Sequence, residues 1–150
     1  MITYAEEKLI NVVEELDVLV KAHWEEVSLY KDKVPLYPDY TKYQALEDIG
    51  SFIIYTARDN GKLIGYYSAF VTPHIHYAST VYAHNDAVYI DSAYRGTRVA
   101  YKLLSFAEKE LKEIGAKVIT LHMKVTTPFD RLCEALGYSC VERIYSKYIG

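Results

Sequence analysis

The segment Tyr94-Arg95-Gly96-Thr97-Arg98-Val99-Ala100 sets two arginines and a glycine between a strand-like run, Val88 to Asp91, and an apolar helical pattern. Residue types in this order suit an anion. The first turn of a helix leaves about four backbone N–H groups without an internal partner and carries roughly half a positive charge, so a phosphate there is stabilised. Gly96 lets main chain approach a ligand closely, and Arg95 and Arg98 add side-chain charge. A plain capped turn would use the same features, and the seven residues alone do not separate the two uses. The histidines are the other groups of interest: His74 and His76 stand at i, i+2, with His84 and His122 further on. No spacing among them matches a zinc signature, and scattered histidines on amphipathic strands account for them, so no metal is expected.

The elements that must position this turn can be read from periodicity. "MITYA" alternates as a short first strand. From Glu6 to about Tyr30, Leu9, Val12, Val13, Leu16, Leu19, Val20, Trp24 and Val27 recur at threes and fours, the mark of an amphipathic helix. Pro35 and Pro38 stop it, and residues 40–50 form a second short helix closed by Gly50. Residues 51–71 are two strands around Asp59-Asn60-Gly61, a hairpin signal because Asn and Gly tolerate positive φ. Residues 72–85 read as a loop or an irregular strand extension, followed by the strand "DAVYID". Thr97 to Ile114 is a helix facing inward with Val99, Leu103, Phe106, Leu111 and Ile114, and Gly115 ends it. "KVITLHMKV" is a strand, Thr127 and Pro128 open a helix carrying Leu132 and Leu136, and "YSCVERIYSKYI" supplies a last strand. The order is β-α-α-β-β-β-α-β-α-β, which implies an α/β (α+β) fold with a mixed, mostly antiparallel central sheet flanked by helices.

Composition sets the outer limits. A chain of 150 residues, 51% hydrophobic and 25% charged, fits one soluble domain spanning residues 1–150. A net charge of −3 removes the diffuse basic footprint of a general nucleic-acid binder, so nucleic acid is not expected as a partner. No apolar run approaches membrane-spanning length, and the charged start "MITYAEEKLINVVEEL" does not read as a signal peptide, so the expected location is cytoplasmic with no membrane partner. Cys133 and Cys140 make no disulfide framework. The sixteen tyrosines suit half-buried strands and amphipathic pockets.

The order of elements, "VYIDSAYRGTRVAYKLL" and the downstream "PFDRLCEALGY" together resemble the GNAT superfamily of acyl-CoA N-acyltransferases over nearly the whole chain, most weakly in residues 23–45. The Tyr-rich middle is similar to that of small phage-encoded members. The family pattern is a strand of the form V-x-V-x-P-x-Y, then R-G-x-G-x-G, then a helix; here Ser92 stands where proline is common and Arg98 where glycine is usual. The resemblance implies acetyl-CoA as cosubstrate, main-chain groups of Val88, Tyr89 and Ile90 on the pantetheine arm, and Arg95, Gly96, Thr97, Arg98, Val99 and Ala100 around the pyrophosphate. Arg98 would point outward, towards the 3′-phosphate. Thr126 replaces an asparagine that often contacts the cofactor, and Cys133 replaces the tyrosine that often protonates the departing thiolate. A thiol of ordinary pKa about 8.5 can donate a proton, yet a buried cysteine is also a small apolar residue.

Such a reaction needs the acceptor amine neutral, and a lysine-like amine of pKa about 10.4 is almost wholly protonated at pH 7. A base must take the proton before direct attack in a ternary complex. By the period of two, His84, Asp86 and Val88 share one strand face, which makes Asp86 the first candidate base and His84 the second. A backbone N–H of the Val88–Ile90 strand would face the developing oxyanion. Trp24, Glu26 and Tyr40 are expected on the acceptor side, with Glu25, Tyr37, Tyr43, Tyr145 and Tyr148 nearby; acidic and aromatic groups together suit a cationic amine. The expected activity is N-acetylation of a polyamine-like molecule, a peptide terminus or a lysine. The alternatives are a weakly catalytic CoA- or partner-binding protein of the same fold and an acyltransferase on modified bases in nucleic acid. Release of free CoA with a panel of amines separates the first two, and salt-dependent binding to nucleic acid marks the third. The sequence is compatible with a homodimer.

Overall fold

In the computed structural model, which describes residues 1–150, the order is β1 (Ile2–Glu6), α1 (Leu9–Val27), α2 (Tyr40–Asp48), β2 (Phe52–Asp59), β3 (Lys62–His74), β4 (Tyr77–Ile90), α3 (Val99–Glu113), β5 (Val118–Thr120) and α4 (Asp130–Ala135). The five strands form one sheet in chain order. β1 to β4 pair antiparallel, and β5 lies parallel to β4. This is the mixed, mostly antiparallel sheet that the element pattern implies.

Each face of the sheet buries one amphipathic helix. On one side Leu9, Val12, Leu16 and Leu19 of α1 pack on Phe52, Ile54, Tyr66 and Tyr89. The start of α1 has no side-chain cap of its own; buried Glu47 of α2 supplies one, its Oε1 accepting the Leu9 N–H at 2.9 Å. On the other side Val99, Leu103, Leu104, Ala107 and Leu111 of α3 pack on Tyr55, Ile64, Tyr67 and Ala69. Ile114, expected inward, is the C-cap of α3 and 54% exposed, because the chain leaves the helix there through Gly115 at φ 102°. No helix is long and apolar enough to cross a membrane.

The Asn60-Gly61 hairpin forms as expected, with φ of 48° and 89°. Residues 72–85 are strand rather than loop: β3 runs to His74 and β4 resumes at Tyr77. The tight turn at Ile75-His76 contains no glycine, asparagine or aspartate, so turn chemistry does not announce it. α4 starts at Asp130 behind Phe129, which leaves Thr127 and Pro128 in the preceding loop rather than at the helix start. The expected last strand over residues 138–149 does not form, and no regular element follows α4. β5, at that edge of the sheet, has only three residues, a short edge for a long partner. That segment instead meets the loop that follows α1, with Ser146 Oγ 3.0 Å from the Tyr30 hydroxyl and Tyr148 beneath the Lys33 ammonium.

Candidate active site

The decisive local feature lies in β4. Ser68 of β3 pairs with Ala87 and Ala69 with Asn85, so Asp86 is the extra residue of a β-bulge. A bulge re-aims side chains and interrupts their alternation. Asp86 turns towards the helical layer of α1 and α2, where its Oδ2 accepts the Tyr43 hydroxyl at 2.9 Å and the Ser68 hydroxyl at 3.3 Å. Of the three residues expected on one face, Val88 therefore leaves it, while His84 stays on the side of Asp86. Val88 pairs with Tyr67 and packs with the α3-side core. His84 sits opposite Phe70, with Nδ1 2.8 Å from the Thr120 hydroxyl and its ring against Tyr82.

Asp86 borders a cavity of ≈ 410 Å³ walled by Trp24, Tyr40, Tyr43, Phe52 and Tyr66. Of the residues expected on the acceptor side, Trp24, Tyr37, Tyr40 and Tyr43 line it, and Glu25, Tyr145 and Tyr148 do not; His84, the second candidate base, and Cys133, the candidate proton donor, also lie outside it. Glu26 is also elsewhere: its Oε1 accepts the Tyr89 hydroxyl at 2.9 Å and its Oε2 pairs with Arg95 Nη2 at 2.5 Å. His23 is a lining residue that sequence reasoning missed. Its Nδ1 lies 3.3 Å from the Tyr66 hydroxyl and its ring stacks on Tyr89 at 5.1 Å between centroids. Burial pushes its pKa below the usual histidine value, so it is neutral at pH 7 and able to accept a proton. The available signal was a histidine on the apolar stripe of α1, four residues after Leu19.

On the far side of the bulge β4 has an open edge. β5 pairs only with Tyr82 to His84, and Asn85 stands where the two strands part, its Oδ1 accepting the His122 N–H at 2.8 Å. The Asp91 N–H reaches the Ile64 carbonyl of β3 at 2.8 Å, so Tyr89 and Ala87 also direct their backbone groups to β3 while Val88 and Ile90 direct theirs to the open edge. Of the three strand residues expected to meet a ligand through main chain, Val88 and Ile90 are therefore placed to do so and Tyr89 is not. The Asn85 Nδ2 is buried without a partner, an orphan amide of the kind that normally finds an acceptor.

The turn that follows is fixed from outside. The Asp91 carboxylate caps the single helical turn Ser92–Tyr94, accepting the Ala93 N–H at 2.9 Å, and the Tyr94 hydroxyl donates to Asp59 at 2.8 Å. Gly96 then takes φ 76°, and a Cβ there would meet nothing within 4 Å, so it is the backbone conformation that calls for glycine. The N–H groups of Gly96, Thr97 and Arg98 have no acceptor within the protein, and α3 begins at Val99 without a side-chain cap. The two arginines have different fates. Arg95 folds inward, donating through Nε to the Ile90 carbonyl at 3.1 Å and lying over the Tyr89 ring, with its remaining charge on Glu26. Of the two arginines expected to add charge for an anion, Arg95 is thus engaged within the protein. Arg98 is exposed beside Tyr101 and pairs with no acid. Free N–H donors, one free guanidinium, an open strand edge and an orphan amide together fit a ligand with a diphosphate and an amide-rich arm.

Thr126 is exposed in the turn closed by the Thr127 N–H on the Lys124 carbonyl at 3.1 Å. Cys133 is half-buried in α4, where burial pushes its thiol pKa up and keeps it protonated.

The profile of the Acetyltransferase (GNAT) family matches residues 16–138. No curated protein matches the sequence. Among solved structures, an aminoglycoside acetyltransferase from an uncultured soil metagenomic sample, in complex with sisomicin, superposes with a TM-score of 0.77 at 14% identity, covering 99% of this chain and 95% of that one. Glucosamine-6-phosphate N-acetyltransferase from Arabidopsis thaliana gives a TM-score of 0.75 at 16% identity over 100% and 99% of the two chains. AAC(6')-Iy in complex with the bisubstrate analogue CoA-S-monomethyl-acetylneamine gives 0.74 at 16% identity over 100% and 99%.

Proposed function

The chain belongs to the acetyltransferase (GNAT) family, enzymes that draw their acyl group from acetyl-CoA, and we propose that it N-acetylates a primary amine held in the Asp86 cavity. The observation that carries this reading is the bulge. It sets a carboxylate on the cavity wall two residues before the strand edge whose backbone groups at Val88 and Ile90 are open. A cationic amine and an amide-rich acyl donor can thus meet across one strand. The family match supports amine acetylation as the chemistry; the solved structures, two of them with aminoglycoside-type ligands and one a glucosamine-6-phosphate N-acetyltransferase, share the fold at 14–16% identity.

Acetyl-CoA, when bound, supplies an acetyl group activated as a thioester. The N–H groups of Gly96, Thr97 and Arg98 and the first turn of α3 would hold its diphosphate, with the Arg98 side chain adding charge. Val88 and Ile90 would pair with the pantetheine amides through main chain, and the Val88 N–H faces the edge where negative charge develops on the acyl oxygen. Asp86 attracts the acceptor ammonium and takes its proton, leaving the lone pair free to attack the thioester carbonyl; the C–S bond would then break and CoA would leave as the thiolate, with the proton given up by the amine balancing it as the thiol. Tyr43 and Ser68 orient that carboxylate by donating to it. His23, neutral and in the same cavity, is held by the Tyr66 hydroxyl at 3.3 Å. His84 and Cys133 lie outside the cavity and take no part at the amine. The setting proposed for this activity is the cytoplasm.

The test is Asp86→Asn, which keeps the shape of the side chain and removes its capacity to accept a proton. Turnover should fall about 10²–10⁴-fold, while CoA affinity measured by calorimetry stays within about twofold because its contacts are to other residues. Full turnover in this variant, with an acceptor that the native protein acetylates, would remove Asp86 from the chemistry.

A further inference from the structure

We infer that the acceptor is a monoamine carried on an aromatic or similarly flat apolar body, a substrate class that rests on the acetyl-transfer reading and narrows it. Charge is the first argument. Among the residues lining the cavity Asp86 is the one acid, and Lys124 is the one lysine or arginine. The acids just outside are committed: Asp17 accepts the Tyr40 hydroxyl at 2.7 Å and pairs with Lys21 at 2.8 Å, and Glu26 is held by Tyr89 and Arg95. A polyamine would bring a second and third ammonium into a space that offers one carboxylate and a like charge. A single ammonium is matched.

The walls are the second argument. Of the 20 lining residues 13 are hydrophobic, and two of them, Tyr43 and Phe52, pack with ring centroids 4.7 Å apart and are backed by Phe70, which lies behind the wall. The hydroxyls of Tyr40 and Tyr43 are already donated to Asp17 and Asp86. These two tyrosines therefore offer ring surface more than hydrogen-bonding capacity, which favours an apolar body over a hydroxyl-rich one. A volume of ≈ 410 Å³ is enough for a small molecule of this kind.

Trp24 is the only tryptophan of the chain and lines this cavity, so its emission reports occupancy without any need for turnover. Phenethylamine, tyramine and spermidine would be titrated against Trp24 fluorescence and compared as acceptors by CoA release. Phenethylamine and tyramine should perturb the emission saturably and be acetylated with kcat/KM at least about tenfold above spermidine, roughly the discrimination a pocket gains from one well-matched group. Val34→Glu, on the exposed loop that borders the cavity, adds a second acid outside the core and should move the ratio towards spermidine. Spermidine binding and reacting as well as the aromatic amines would overturn the class while leaving acetyl transfer intact. Aromatic amines that perturb Trp24 but are never acetylated, in a protein that binds acetyl-CoA, would uphold the class as a binding preference and remove the acetyl-transfer reading. No response of Trp24 to either aromatic amine would overturn the inference.

Discussion

Arg98→Ala should weaken CoA binding about tenfold, whereas Arg95→Ala should change it less than about threefold. The difference follows from where each guanidinium rests. Arg98 is exposed at the start of α3 with no carboxylate partner, so its charge is available to a phosphate. A hydrogen bond from a charged group contributes about 1.5–3 kcal/mol, and its exposure places Arg98 at the low end, about one decade in Kd. Arg95 is already engaged by Glu26 and the Ile90 carbonyl, so a phosphate would have to displace contacts of equal kind. Its loss acts on stability instead. The Arg95 and Glu26 side chains are 46% and 35% exposed, so their pairing is worth about 1 kcal/mol or less, roughly 2–4 °C in Tm for a chain of this size. Calorimetry with CoA and dephospho-CoA, alongside thermal melts, reads both effects. If Arg98 meets the 3′-phosphate, dephospho-CoA binds the native protein and Arg98→Ala about equally. Arg95→Ala weakening CoA as much as Arg98→Ala, at unchanged Tm, would refute the inward placement of Arg95.

Gly96→Glu should lower CoA affinity by at least about tenfold, since it strains a φ of 76° and sets an acid before a helix start that favours anions; undisturbed binding by calorimetry would mean the diphosphate sits elsewhere. Stability should fall as pH drops below about 6.5, because the unfolded chain protonates His23 there while burial holds the folded imidazole neutral to lower pH. The loss is complete once pH passes below the folded pKa, and His23→Gln should flatten the Tm profile between pH 7 and 5; an unaltered profile would show that His23 is not desolvated. Cys133→Ala should cost about 1 kcal/mol or less in stability and leave turnover within about twofold, followed by thioester absorbance and thermal melts. A large drop in turnover at native Tm would return Cys133 to the chemistry.

What the sequence determined by itself is everything set within a few residues. Asn60-Gly61 closes the β2–β3 hairpin because both accept positive φ, and the threes and fours of α1 and α3 form helices whose apolar stripes face the sheet. The strand–turn–helix order around Gly96 is likewise legible, since it is set by the local backbone, though the residues alone leave a capped turn and an anion site equally open. Tertiary structure decided what depends on a distant partner. Strict alternation cannot foresee that Asp86 is unpaired opposite β3, yet that single extra residue sends Val88 to one face and keeps Asp86 on the other, in reach of Tyr43. Arg95 and Arg98 look alike in the chain, and only the approach of Glu26, 69 positions away, draws one inward and leaves the other free. His23 reads as one more member of a helical stripe until Tyr66 and Tyr89 enclose it. Residues 138–149 alternate like a strand, but a strand exists only where another edge accepts its hydrogen bonds, and three residues of β5 do not provide one.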